Sequence, residues 1–234
     1  VDDLILRSLE ISKNIKIIEQ LMDPPSVIAT ETAKKRLLNL GFIEYRENRE
    51  LQITRDGEIA LSCPEIELES VRMLLASREY NCTGRALKLA GLMSIGADLF
   101  INGMAEIDYG EMTSKSGDHI TILNVYEKFE KLLISPPRKK KKGKPFSIHD
   151  WCEQFGIHYD MLMDAKRQAN MIYMTLKKSL FSGVTQQGTE EQLMKAVVSG
   201  YFHNISYFLG QNNRIDGSFI ITPVDIENDA DCDE

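Results

Sequence analysis

The chain has 234 residues, 43% of them hydrophobic and 27% charged, with 28 Lys and Arg against 35 Asp and Glu for a formal charge of −7. Such a chain is long enough to bury a real core as one large or two small domains, and it reads as an ordinary soluble globular protein. No apolar run reaches bilayer-spanning length, and Asp2 and Asp3 stand where a secretory signal would be basic, so neither membrane insertion nor secretion is expected.

The elements follow in chain order. Leu4, Leu6, Leu9, Ile11, Ile15, Ile18 and Leu21 suit one or two short helices, which the Pro24-Pro25 pair stops. From Ser26 to Leu40 the apolar positions Ile28, Ala33, Leu37, Leu38 and Leu40 predict an amphipathic helix that Gly41 terminates. Two short strands, 42–45 and 50–53, flank the polar loop 46–49, and Thr54 caps a further helical turn ending before Pro64.

After Pro64 the pattern is helical nearly throughout. Leu68, Val71, Leu74 and Leu75 share a face, and Thr83 is placed to cap a helix carrying Ala86, Leu87, Ala90 and Leu92. The stretch 96–117 reads as irregular. Gly117 and Asp118 then open a helix to about Leu133, with Asp118 as its expected cap. Ile122, Val125, Tyr126, Phe129, Leu132 and Leu133 form its apolar face, opposite Thr121, Asn124, Lys128 and Lys131. Ser147 to Asp150 has near capping-box spacing and starts a short helix that Gly156 ends. A long helix over 158–180 turns Leu162, Ala165, Ala169, Ile172 and Leu176 inward and Met163, Arg167, Asn170, Met174 and Lys178 elsewhere. Thr189 and Gln192 form a capping-box pair for a last helix expected to reach about Leu209.

The net charge argues against a nucleic-acid binder, but it averages opposite segments. Arg138 to Lys144 is a dense basic run, a solvated loop or a nuclear localisation signal, whereas the last ten residues are strongly acidic. Cys63, Cys82, Cys152 and Cys232 lie far apart with no Cys-x-x-Cys pair and no histidines at zinc spacing, which predicts reduced thiols, no disulfide and no metal. No glycine-rich loop ending in Lys-Ser/Thr is present to cradle ATP. Asp118 and His119 do not make an acid–base pair, because neighbouring helical residues point about 100° apart.

Four landmarks resemble, in order, the C-terminal region of DEAH-box ATP-dependent RNA helicases. Met22-Asp23-Pro24-Pro25 looks like the entry to that family's winged-helix domain, and Leu51 to Gly57 like its "L-T-x-x-G" wing exit. Gly117 to Tyr126, followed by Trp151-Cys152, is similar to the core of its ratchet domain. Lys195 to Asn204 is similar to its "K-A-x-x-S-G-F-F-x-N" helix, so the likeness runs from about residue 4 to 209. The expected fold is therefore mainly α: a winged helix over 1–63, a ratchet-like all-α bundle over 64–210, and an acidic tail or OB-fold remnant over 211–234.

The resemblance implies an accessory region that packs on the RecA-like motor domains of the same parent chain and closes a channel around single-stranded RNA. ATP and magnesium belong to the parent, since the chain itself lacks the DEAH tetrapeptide. Thr121, Asn124, Lys128, Lys131, Arg167 and Lys178 are the expected RNA-backbone contacts. The family's settings imply mRNA processing or ribosome biogenesis, in the nucleus or the cytoplasm. Several of its cations are replaced here, by Ala169, His203, Ser206 and Tyr207, and only Gly217 to Pro223 suggests the first OB-fold strand. Two other readings remain open: a protein-interaction module docking a G-patch activator, with Phe42 and Tyr45 as contacts, and duplex DNA recognition through Lys34, Lys35 and Arg36.

Overall fold

The computed structural model describes residues 1–101, 108–137, 145–181, 186–211 and 219–223, with the backbone alone for 97–98, 207–211 and 219–223. The basic run 138–144 and the acidic tail lie outside the described residues. The described chain is mainly helical, with two separate two-stranded hairpins.

The first unit is helix α1 (Asp2–Ser12), a 3-10 turn (Ile15–Gln20), α2 (Val27–Asn39), the hairpin β1 (Ile43–Tyr45) and β2 (Leu51–Ile53), and α3 (Arg55–Leu61). Ser26 caps α2 by accepting the Ala29 amide. The strands pair antiparallel, Ile43 opposite Ile53 and Tyr45 opposite Leu51. Thr54 has two tasks, since its hydroxyl donates to the Gly41 carbonyl and accepts from the Gly57 amide to cap α3. A Cβ on Gly57 would clash with the Phe42 carbonyl oxygen, so only glycine lets α3 close on the backbone that leads into β1. The Thr-x-x-Gly spacing is thus a packing device.

The second unit holds α4 (Leu68–Glu79), α5 (Thr83–Met93), α6 (Asp118–Ile134), α7 (Ile148–Gln154), α8 (Tyr159–Leu176) and α9 (Glu190–Tyr201). The largest helix contacts are α4 along α9 and α5 along α8. Small residues permit the second, where Gly91 faces Ala165 and Ala169. The core runs through both units from Ile5 and Leu37 to Leu123, Phe129 and Leu193.

Three expectations fail in physical detail. Ile28, assigned to the buried face of α2, is 80% exposed. Thr83 is the first residue of α5 and caps nothing; its hydroxyl accepts the Gln186 amide instead. The last helix stops at Tyr201, and a 3-10 turn (Phe202–Asn204) leads into strand β3 (Ser206–Gln211) rather than helix. β3 pairs antiparallel with β4 (Phe219–Pro223), a partner that helical periodicity cannot reveal. The described part of that strand signal, Phe219 to Pro223, is therefore half of a hairpin whose other half begins inside the expected helix.

Cys63, Cys82 and Cys152 are buried free thiols. Burial, with Glu65 adding to it, pushes the Cys63 thiol up to about 12. Burial raises Cys82 to about 11 against the opposing pull of Arg85, and burial alone raises Cys152 to about 11. A thiol must ionise to react, so all three are expected to resist alkylation at about pH 8 in the native chain and to react on unfolding. Mass spectrometry of the alkylated peptides checks this, and labelling of native Cys152 would contradict the packing of α7.

Candidate nucleic-acid interface

The expected stripe on α6 divides in two. Gly117, not Asp118, is the N-cap of this helix, and Asp118 is its first helical residue with no side-chain capping bond. One position of slip is enough to remove the bond, because a capping side chain must reach back to the amides of the next turn from outside the helix. Asp118 still places a negative charge at the positive end of the helix dipole. Thr189, by contrast, accepts the Gln192 amide while the Gln192 side chain accepts the Thr189 amide, a complete capping box on α9. Thr189→Ala is expected to cost about 1 kcal/mol and Asp118→Ala less than about 0.5 kcal/mol. Chemical denaturation of both variants checks the contrast, and equal losses would contradict it.

Thr121 is only 4% exposed. Its hydroxyl donates to the Gly117 carbonyl and accepts the Ser114 amide, so the turn before α6 folds over it. Asn124 is likewise engaged, accepting from Arg85 on α5 and donating to the Met112 carbonyl. Both side chains spend their polar groups inside the protein, which counts against their assignment as RNA contacts. Together they hold the turn 109–116 and α5 against α6, with Glu127 and Glu130 adding ion pairs to Arg85 and Lys88.

The C-terminal half of the stripe is different. Lys128 and Lys131 are exposed, lie one turn apart, and have no ion pair among the described residues. They border a groove of about 520 Å³ whose other walls are the turn at 108–112 and α7. Trp151 and Phe155 line it, with ring centroids 5.0 Å apart.

Arg167 lies on the open side of α8 and pairs with Asp164 one turn earlier. Asn170, Met171 and Met174 continue that open side, all three exposed. Lys178 is exposed but falls two residues beyond the end of α8. Ala169 is buried against Gly91, so a cation there would have to displace α5. The structure does not gather the six expected residues at one point. Two are engaged inside the fold, two flank the groove on α6, one lies on α8 and one just beyond its end. Helical periodicity misses the aromatic wall beside the lysines, although the Trp151-Cys152 landmark points to it.

Elsewhere, the cations on α2 are engaged: Lys34 pairs with Glu31 at 2.6 Å, and Arg36 with Glu69 and Asp2. That leaves this helix little free charge for duplex DNA. Phe42 is fully buried, which leaves Tyr45, 58% exposed, as the aromatic beside the hairpin open to a partner. Exposed apolar side chains gather instead around the proline pair, at Leu21, Met22, Val27 and Ile28. Among the described residues no group of side chains could hold a metal ion, and no helix is long and apolar enough to cross a membrane.

No model of a known protein family matches the chain. Individual proteins do. It is 26% identical over 207 residues to the ATP-dependent RNA helicase DHX33 of Mus musculus, a stretch covering 86% of this chain and 26% of that protein. It is 24% identical over 192 residues to the probable ATP-dependent RNA helicase DHX35 of Homo sapiens, covering 80% of this chain and 25% of that protein. The probable DHX35 homologue of Caenorhabditis elegans is 25% identical over 219 residues, 88% of this chain and 27% of its own length. The chain thus spans about a quarter of the length of the curated relatives it matches. Over most of its length it is related to a region of DEAH-box ATP-dependent RNA helicases.

Proposed function

We propose that the chain is the accessory C-terminal region of an ATP-dependent RNA helicase, a winged helix followed by a ratchet domain, and that it holds single-stranded RNA while the motor steps. The observation that carries this reading is the pattern of open and closed helix faces. α6 and α8 bury their apolar sides, yet Lys128, Lys131, Arg167 and Lys178 remain in solvent. Long flexible cations in solvent suit phosphate oxygens, which carry charge but no sequence information. The first unit has the helix, helix, hairpin and helix order of a winged helix. Its apolar patch at Leu21, Met22, Val27 and Ile28 is the proposed seat of the parent's RecA-like motor domains, and hydrolysis of ATP with magnesium would take place there and not in this chain. The hairpin β3–β4 is proposed as the start of an OB-fold. The same reading proposes a nuclear site of action, with the cytoplasm as the alternative.

Exposed Tyr45 favours a second reading, in which the hairpin docks a G-patch activator of the parent. RNA binding separates the two. Affinity for labelled single-stranded RNA should fall with salt at a slope of about −0.7 per neutralised phosphate. Replacing Arg167 and Lys178 by alanine in the complete helicase should lower that slope by about 1 to 1.5, whereas Thr121→Ala should leave it unchanged, because the threonine hydroxyl is internal. An unchanged slope in the double variant, with unwinding intact, overturns the gripping role and favours the docking module.

A further inference from the structure

We propose that the groove between the turn at 108–112, α6 and α7 receives one unstacked base of single-stranded RNA, with the adjoining phosphate on Lys128 and Lys131. This rests on the RNA-binding reading above and assigns it a base-holding subsite. The groove, about 520 Å³, lies within the range of about 300 to 1,000 Å³ typical of small-molecule sites.

Its walls have three kinds of chemistry. On one side the Phe155 ring packs on Trp151, at 5.0 Å, and on Tyr109, at 6.1 Å and 15° from parallel. Trp151 and Phe155 are only half-buried, so part of the apolar wall is uncovered where any base could lay its face. On the α6 side stand Lys128 and Lys131, both exposed. The third wall carries Glu111, an exposed carboxylate on the turn. Tyr109 itself is 4% exposed, and its hydroxyl is buried without a hydrogen-bond partner among the described residues. That hydroxyl is enclosed by the fold, so Glu111 supplies the polar chemistry of this wall.

The carboxylate gives the site a chemical preference. Cytosine presents an exocyclic amino group that donates to Glu111, whereas uracil presents a carbonyl oxygen at the same position, which a carboxylate repels. Glu127, also in the groove, is already shared by Arg85 at 3.3 Å and Lys88 at 3.8 Å, so it adds little net charge to oppose the phosphate.

Trp151 is the sole tryptophan of the 234 residues, so all tryptophan emission comes from a wall of this groove. The full chain is titrated with dye-labelled oligocytidylate and oligouridylate of equal length, reading dye anisotropy and tryptophan emission together. The expected result is saturable quenching with the same midpoint as the anisotropy, at about tenfold tighter affinity for oligocytidylate, the worth of one net hydrogen bond to a charged group. Glu111→Gln should bring the ratio of the two affinities to within about twofold of one, and Glu111 is exposed, so folding is not at stake. RNA that binds by anisotropy with unaltered Trp151 emission, or with equal affinity for the two oligomers, overturns the subsite and leaves the gripping role standing. No binding by anisotropy overturns both. A response of Trp151 to an arginine-rich peptide but not to RNA makes the groove a protein site and also overturns the proposal.

Discussion

Gly200→Ala is expected to destabilise the chain by about 2 kcal/mol or more, although alanine is the better helix former by about 1 kcal/mol. A Cβ at this position would clash with the Glu69 carbonyl oxygen and stand 3.0 Å from the Met73 amide nitrogen. Both atoms belong to the backbone of α4, so no side chain can swing away to relieve the contact. The helices would have to separate, and two bonds close by would suffer: Ser70 to Tyr201 at 2.7 Å and His203 to Glu69 at 3.1 Å. Ser199→Ala is the control, since its hydroxyl only bonds back to the Lys195 carbonyl on an exposed turn, and its effect should stay within about 0.5 kcal/mol. Urea denaturation of the two variants gives the comparison. A Gly200→Ala protein as stable as the parent would mean that α4 and α9 do not approach this closely.

The same glycine shows what a sequence can disclose. In Lys195 to Asn204 the Ser-Gly pair is visible as part of a motif, but its reason, a backbone crossing with α4, depends on residues 131 positions earlier. Local devices are readable for the opposite reason. The capping box at Thr189 and Gln192, the Ser26 cap and the Thr54 turn are each closed within three residues, so spacing alone carries them. Thr121 misleads because its position on the helical wheel is polar by composition, while its burial comes from the turn at 109–116 folding back over α6. The end of α9 misleads because β3 owes its strand form to pairing with β4, eight to seventeen residues away. Ile28 fails in the other direction. It is an apolar residue at a helical interval, the usual sign of core, yet it sits on the patch left open beside the proline pair.

Glu69→Ala is expected to cost about 2 kcal/mol, by stranding a cation and not by removing a favourable surface pair. Glu69 is 3% exposed on α4 and takes three contacts on a single oxygen, from both Nε and Nη2 of Arg36 and from Nε2 of His203. Arg36 in turn reaches Asp2 at 3.2 Å, so one carboxylate ties α1 and α2 to α4 and to the turn that leads into β3. Burial works against the Arg36 charge, but the hydrogen bond and charge of Glu69, aided by Asp2 and Glu67, hold its pKa above the ordinary value. Removing a partner from a fully buried pair costs about 3 to 5 kcal/mol. The Arg36 side chain is 40% exposed, so water recovers part of that. Arg36→Met with Glu69→Leu should therefore lose less than the sum of the two single changes, because neither charge is then left alone. Strict additivity in that cycle would show that the two side chains do not act together. A loss below about 0.5 kcal/mol for Glu69→Ala would show that solvent alone satisfies Arg36, and that the junction between the two units is held by apolar packing.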